Sequence, residues 1–93
     1  MQSQTVDDVF DALCDTPAEA ANMKARSELL SALQARIRTW AVPQAEAARR
    51  LAITRPRLND LVGGKLNKFS LDALVNLTAA AGLTLEIKIS DAA

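Results

Sequence analysis

The 93-residue chain has few of the residues on which catalytic, metal and disulfide chemistry depends. It contains no histidine, no tyrosine and a single cysteine, Cys14. One cysteine cannot form a disulfide within the chain, and the paired Cys and His spacings of zinc sites are absent. General acid–base work would fall to carboxylates or lysines, and none stands in a recognisable catalytic constellation. The sequence therefore predicts a protein that is not an enzyme and that uses no metal or cofactor.

Long apolar runs and low-complexity tracts are also missing. No apolar run approaches the roughly 18 residues of a membrane-spanning helix, and no signal-peptide pattern opens the chain. We therefore expect a cytoplasmic protein. With 49% hydrophobic residues and no tract of glycine, proline or serine, the chain has the composition of one globular domain. A domain of this size has a modest core, so a partner subunit would help to stabilise it.

The charges are unevenly distributed, although the formal net charge is zero. Residues 1–22 hold five acidic residues and no basic one, a balance of −5. Residues 36–68 hold eight basic residues against two acidic ones, a balance of +6. Attraction to phosphate acts over roughly 8 Å in physiological salt, so this local excess matters more than the sum. The basic block favours a nucleic-acid partner.

Two short helical patterns lie within residues 43–65, separated by a tight break. The first covers 44–51 and places an apolar face inward, made of Ala47, Ala48 and Leu51. Thr54 supplies a hydroxyl of the kind that caps the next helix. The second pattern points Leu58, Leu61 and Val62 inward and stops at Gly63-Gly64, where glycine can adopt the left-handed conformation that ends a helix. Two helices joined in this way predict a helix-turn-helix, whose second helix enters the DNA major groove.

Helices are predicted on both sides of this motif. An amphipathic helix over residues 5–14 presents Val6, Val9, Phe10 and Leu13 on one face. Thr16-Pro17-Ala18-Glu19 is a strong helix start, and that helix should run to about Trp40. Its buried stripe should consist of Leu29, Leu30, Leu33, Ile37 and Trp40. A last helix should begin after Ser70 and end at Gly82.

Beyond Gly82 the sequence alternates between apolar and polar residues, as a half-buried strand does. A lone strand cannot satisfy its own backbone, so its partner must come from another chain. We predict antiparallel pairing of residues 84–90 across a two-fold homodimer, which would also present two recognition helices to successive major grooves. The predicted dimerisation residues are Leu83, Leu85, Ile87 and Ile89.

Several runs together resemble the phage-repressor-like (XRE/Cro) helix-turn-helix family, and in particular its HigA-like antitoxins from type II toxin–antitoxin pairs. These runs are Gln-Ala-Glu-Ala-Ala at 44–48, the break at 52–54, Gly-Gly-Lys-Leu-Asn-Lys-Phe-Ser-Leu at 63–71, and the segment from Gly82 to Ile87. The resemblance covers roughly residues 24–90. The chain departs from the family at Pro43, where a capping Thr or Ser is usual, and at Ala52, where glycine is favoured in the turn.

The resemblance implies a mainly α, five-helix domain, and it assigns roles to residues near the motif. Gln44 would meet the DNA backbone, and Arg55 would read a guanine through two hydrogen bonds. Arg57 would contact a base or a phosphate, and Asn59 an adenine. Asp60 would accept from a cytosine or pair with Arg57. The full implied DNA-binding set is Gln44, Thr54, Arg55, Pro56, Arg57, Asn59, Asp60, Lys65, Asn67 and Lys68, the last three as backbone clamps. Four further arginines, at 36, 38, 49 and 50, are expected to be solvated or ion-paired.

We divide the chain into an acidic segment (1–22), a DNA-binding domain (23–82) and a dimerisation strand with its tail (83–93). The resemblance further implies an antitoxin that represses its own operon and neutralises a RelE/HigB-like ribonuclease toxin. The acidic segment would contact that basic toxin, or would instead fold back onto its own domain. Two other functions stay open: a stand-alone transcriptional regulator, and a protein-interaction module that no longer binds DNA.

Overall fold

The computed structural model describes residues 16–91 and contains four α-helices in that range. Helix α1 spans Pro17–Trp40, α2 spans Gln44–Leu51, α3 spans Arg55–Val62 and α4 spans Leu71–Ala80, with a short 3-10 turn, η1, at Leu66–Lys68. The helix predicted over residues 5–14 lies outside the described residues. A mainly helical architecture is therefore confirmed, with four of the five predicted helices observed.

Both ends of helix α1 are fixed by the residues next to them. The Thr16 hydroxyl accepts a hydrogen bond from the Glu19 backbone N–H at 3.0 Å, and Pro17 occupies the first turn. The helix ends at Trp40, and Ala41 then adopts a left-handed conformation with φ of 50°. The predicted start and end of this helix are confirmed.

The core lies where α1, α3 and α4 meet. Leu33 of α1, Leu58 and Leu61 of α3, and Leu74 of α4 are completely inaccessible to solvent. The predicted stripe of α1 is confirmed, since Leu29 and Leu30 are also buried while Ile37 and Trp40 pack against the cluster at its edge. Burial of a leucine side chain contributes about 1.5–3 kcal/mol, so these contacts fix α3 firmly on the body of the domain.

Helix α2 shows the two departures expected from the sequence. Pro43 makes no side-chain capping bond, and its carbonyl instead accepts from the Glu46 and Ala47 N–H groups at 3.0 and 3.1 Å. Ala52 has a φ of 56°, in the left-handed region that costs a non-glycine residue about 1–2 kcal/mol. Ala47 and Ala48 are buried against the core as predicted.

Helix α3 ends at the predicted Gly63-Gly64 pair, but its last residue differs from the prediction. Val62 is 46% exposed rather than directed inward, because Leu58 and Leu61 already fill the narrow inner face and Val62 falls at its edge. Gly63 keeps a right-handed conformation with φ of −75°, and only Gly64, at φ of +75°, takes the left-handed one. The chain therefore turns away from α3 at the second glycine.

The C-terminal tail follows α4 without forming a strand in the described part of the chain. The Ser70 side chain caps α4 by accepting from the Ala73 N–H at 3.1 Å, as predicted. Gly82 has a φ of +76°, and Leu83 donates to the Thr78 carbonyl at 2.9 Å. Ile87 and Ile89 are 75% and 88% exposed. The predicted strand and its pairing across a dimer stay predictions.

Candidate nucleic-acid interface

Helix α3 presents its outer face to solvent because its inner face is held by the core. The Thr54 side chain caps it by accepting from the Arg57 N–H at 3.3 Å, and Pro56 lies in the first turn, where its missing N–H leaves no helical bond unmade. Arg55 and Asn59 are exposed on the outer face. Their donors and acceptors are available to a ligand that approaches from outside.

The side chains of the first residues of α2 and α3 reach each other. Arg55 Nη2 donates to Gln44 Oε1 at 3.5 Å, a long hydrogen bond between two exposed side chains. This bond links the two helix starts through their side chains, and each start carries unpaired backbone N–H groups and a positive dipole end. A phosphate beside Gln44 and a base edge beside Arg55 would both be within reach of this arrangement.

The basic segment after α3 completes the exposed surface. Lys65, Asn67 and Lys68 are all exposed, in the turn that precedes the buried Phe69. Together with Thr54, Pro56 and the residues above, they form one candidate surface, which we call the basic face. It comprises the exposed predicted contacts Gln44, Thr54, Arg55, Pro56, Asn59, Lys65, Asn67 and Lys68.

Arg57 differs from the other predicted contacts because the protein itself engages its guanidinium group. The side chain is half-buried, its guanidinium carbon lies 4.4 Å from the centre of the Phe69 ring, and Nη1 donates to the Lys68 carbonyl at 3.3 Å. Arginine stacks well on aromatic rings in this way. Arg57 is thus directed toward the turn after α3, along the surface of its own domain.

The sequence left two roles open for Asp60, a cytosine contact or an ion pair with Arg57, and the observed ion pair is with a different residue. Asp60 Oδ1 instead lies 3.6 Å from Lys65 Nζ, and the Lys65 N–H donates to the Asp60 carbonyl at 3.0 Å. The backbone bond brings Lys65 beside Asp60, while Arg57 turns toward Phe69. Asp60 consequently offsets part of the charge of Lys65 on the basic face.

Glu46 pairs with the two arginines of its own helix. Arg49 donates to both carboxylate oxygens at 2.8 and 2.6 Å, and Arg50 donates at 3.0 Å. These hydrogen bonds, those from Arg49 first and those from Arg50 second, lower the pKa of Glu46 from 4.5 to about 2. Arg50 also lies over the Trp40 ring at 5.1 Å. The prediction that Arg49 and Arg50 are ion-paired is confirmed, and their exclusion from the DNA contacts stays a prediction.

Two supporting residues on α1 escaped the sequence analysis. Gln34 Nε2 donates to the Leu61 and Val62 carbonyls, both at 3.1 Å, at the end of α3. Arg26 Nη1 donates to the Leu66 and Phe69 carbonyls at 3.1 and 3.3 Å, around η1. Both residues lie four positions from the buried Leu30, on its face of α1. A polar residue at that spacing from the apolar stripe was the signal that could have identified them.

These features define a helix-turn-helix: two short helices joined by a tight turn, the second packed on the core and exposing a basic outer face. A family model described as a helix-turn-helix domain matches residues 12–90, and the chain belongs to that family, which is of the XRE-like type. No curated protein sequence matches the chain. Proteins of this DNA-binding family are typically non-enzymatic. Among residues 16–91, no helix is long and apolar enough to cross a membrane.

Proposed function

We propose that this protein is a sequence-specific regulator that binds operator DNA with α3 in the major groove. The observation that carries the proposal is the placement of Arg55 and Asn59 on the free side of a helix whose other side is anchored by completely buried leucines. A rigid support of this kind fixes where the two side chains point, which base reading requires.

The roles of the basic face follow from the chemistry of its side chains. Arg55 reads a guanine through O6 and N7, while its bond to Gln44 limits the directions it takes. Asn59 matches the edge of an adenine. Lys65, Asn67 and Lys68 bind phosphates and contribute affinity without sequence preference. Thr54 and Pro56 shape the first turn of α3 against the groove.

Selection from a pool of random DNA duplexes tests the proposal directly. We expect enrichment of one sequence with two related half-sites about 34 Å apart, and binding that weakens steeply as salt rises. An Arg55→Ala variant carried through the same selection is the matched comparison, since it should enrich a site with one position relaxed. Failure of the parent protein to enrich any sequence would rule out specific DNA reading and favour the protein-interaction alternative.

We further propose that the tail forms the strand of a two-fold homodimer. Its apolar side chains Leu85, Ile87 and Ile89 are exposed in the single chain, and within residues 16–91 no backbone hydrogen bond joins residues 84–91 to the rest. Antiparallel pairing with a second tail would satisfy both the backbone and these side chains. Ile87→Lys should convert the dimer to a monomer in light scattering, whereas Lys88→Gln should not. An unchanged mass for Ile87→Lys would place the interface elsewhere.

The proposed division is an acidic segment (1–22), a DNA-binding domain (23–82) and a dimerisation strand with its tail (83–93). In this arrangement the protein is an antitoxin that represses its own operon, and residues 1–22 contact a basic RelE/HigB-like toxin. The charge of that segment, −5, supports the assignment. A variant that lacks residues 1–22 should still bind operator DNA but should fail to rescue cells from the toxin encoded beside it. Continued rescue would move the toxin contact, and the absence of such a gene would favour a stand-alone regulator.

A further inference from the structure

The segment between α3 and α4 carries three predicted phosphate contacts. Phe69 anchors its end in the core, and Leu66 packs partly against the same cluster. Side-chain hydrogen bonds to its backbone carbonyl groups hold the exposed turn that carries the phosphate contacts. Arg26 donates to the Leu66 and Phe69 carbonyls, and Arg57 donates to the Lys68 carbonyl. Of these two donors, only Arg57 comes from the recognition helix itself.

We infer that Arg57 is a positioning residue, which fixes the Lys68 peptide relative to the recognition helix, and that it is not itself a DNA contact. Its guanidinium is placed by two independent interactions, the stack over Phe69 at 4.4 Å and the bond to the Lys68 carbonyl at 3.3 Å. Both would be lost if the side chain swung out to reach a base or a phosphate. The planar guanidinium can stack flat on the ring while an N–H group in its own plane donates to the carbonyl, a geometry that the tetrahedral ammonium of lysine does not reproduce.

This inference rests on the proposed function, and it makes two parts of the basic face interdependent. Arg55 lies at the first position of α3, and Arg57 lies two residues later, so the Lys68 peptide is tied to the turn that carries the base-reading side chain. Phosphate binding by Lys68 then fixes the height and angle of Arg55 in the groove. Phosphate contacts set the register in which bases are read.

Charge-conserving replacement separates positioning from direct contact. Each phosphate neutralised contributes about 0.9 to the slope of log K against log salt. If Arg57 positions Lys68, Arg57→Lys should make the slope shallower by about 0.9 per bound chain, as Arg57→Ala does, because the Lys68 contact is lost in both. If Arg57 bound a phosphate directly, Arg57→Lys would retain the parent slope, and that result would overturn the inference.

A double-mutant cycle supplies the second test. Lys68→Gln should reduce the slope by about 0.9 in the parent protein but should change it little once Arg57 is already lysine. Additive losses in the two variants would mean two separate contacts and would also overturn the inference. A role in stability alone would leave the slope of every folded variant unchanged, which would refute positioning as well.

Hydrogen exchange in the free protein tests, without DNA, whether Arg57 holds the Lys68 peptide in place. The Lys68 and Phe69 N–H groups donate to the Lys65 and Leu66 carbonyls, and they should exchange about tenfold faster in Arg57→Lys. The Leu74 N–H in α4 serves as the internal control. Arg55→Lys serves as the matched variant, because it makes the same replacement on α3 but leaves the contacts of Arg57 in place. Unchanged exchange at residues 68 and 69 would refute the positioning role of Arg57. This result does not depend on DNA binding, so it stays distinct from a failure of the proposed function.

Discussion

Gln34 supports the end of α3, so its replacement should lower the free energy of unfolding by an amount that the number of its hydrogen bonds sets. Its amide nitrogen donates to two carbonyl groups at the end of α3, each at 3.1 Å, from a position 27 and 28 residues away in sequence. Replacement by glutamate keeps the size of the side chain but removes both donors at neutral pH. It also directs a negative charge at the negative end of the helix dipole.

The expected loss follows from the number of hydrogen bonds. Each contributes a net of about 0.5–1.5 kcal/mol, so Gln34→Ala should lower the free energy of unfolding by about 1–3 kcal/mol. Gln34→Glu should cost at least as much, because its carboxylate also repels the two carbonyl oxygens. For a domain of this size, that loss lowers the melting temperature by roughly 5–20 °C.

Urea unfolding followed by circular dichroism measures this loss, with Ser31→Ala as the control. Ser31 is exposed on the same helix, and its variant should stay within about 0.5 kcal/mol of the parent. Lowering the pH below about 4.3 should restore part of the stability of Gln34→Glu, since a protonated carboxyl regains one donor. If Gln34→Glu were as stable as the control at neutral pH, the two hydrogen bonds would not support α3.

Two further variants test features of α2. Ala52→Gly should stabilise the protein by up to about 1 kcal/mol, because relief of left-handed strain exceeds the entropy cost of glycine. Ala35→Gly, within α1, should instead lower the free energy of unfolding by about 1 kcal/mol. An equal loss of stability in both variants would show that Ala52 is not strained. The pKa of Glu46 is lowered to about 2 in the folded state, so its contribution is complete above the unfolded value of 4.5 and is lost as the pH falls through about 2. Glu46→Gln should therefore show a shallower acid-induced fall in the urea midpoint than the parent, and parallel curves would exclude this role.

The parts of the fold that sequence reasoning predicted are those determined by neighbouring residues. Thr16, Thr54 and Ser70 each cap a helix by accepting a hydrogen bond from the residue three positions later. The apolar faces of α1 and α2 follow from helical spacing alone. The resemblance marked Ala52 as a departure from the glycine favoured in the turn, and its positive φ is consistent with that position.

The features that sequence reasoning missed depend on contacts between residues that are distant in sequence, or on which of several nearby groups one side chain contacts. Arg26 and Gln34 donate to carbonyl groups far away in sequence, and no local pattern specifies which side chain of another helix reaches those groups. Arg57 had two candidate roles at DNA, and its stack on the ring of Phe69 was not predicted from helical spacing. Val62 has an apolar side chain of the kind found in cores, but it lies at the edge of the face formed by Leu58 and Leu61 and is exposed.

The proposed function requires that the outer face of α3 reads DNA through Arg55. Fluorescence anisotropy with the selected operator, and with single-position variants of it, measures this directly. Arg55→Ala should weaken operator binding by about 1–3 kcal/mol and should equalise the affinities for the four base pairs at one position. Arg38→Ala, which removes an exposed charge from α1, should preserve the base preference. Unchanged base preference and affinity in Arg55→Ala would show that Arg55 does not read the operator.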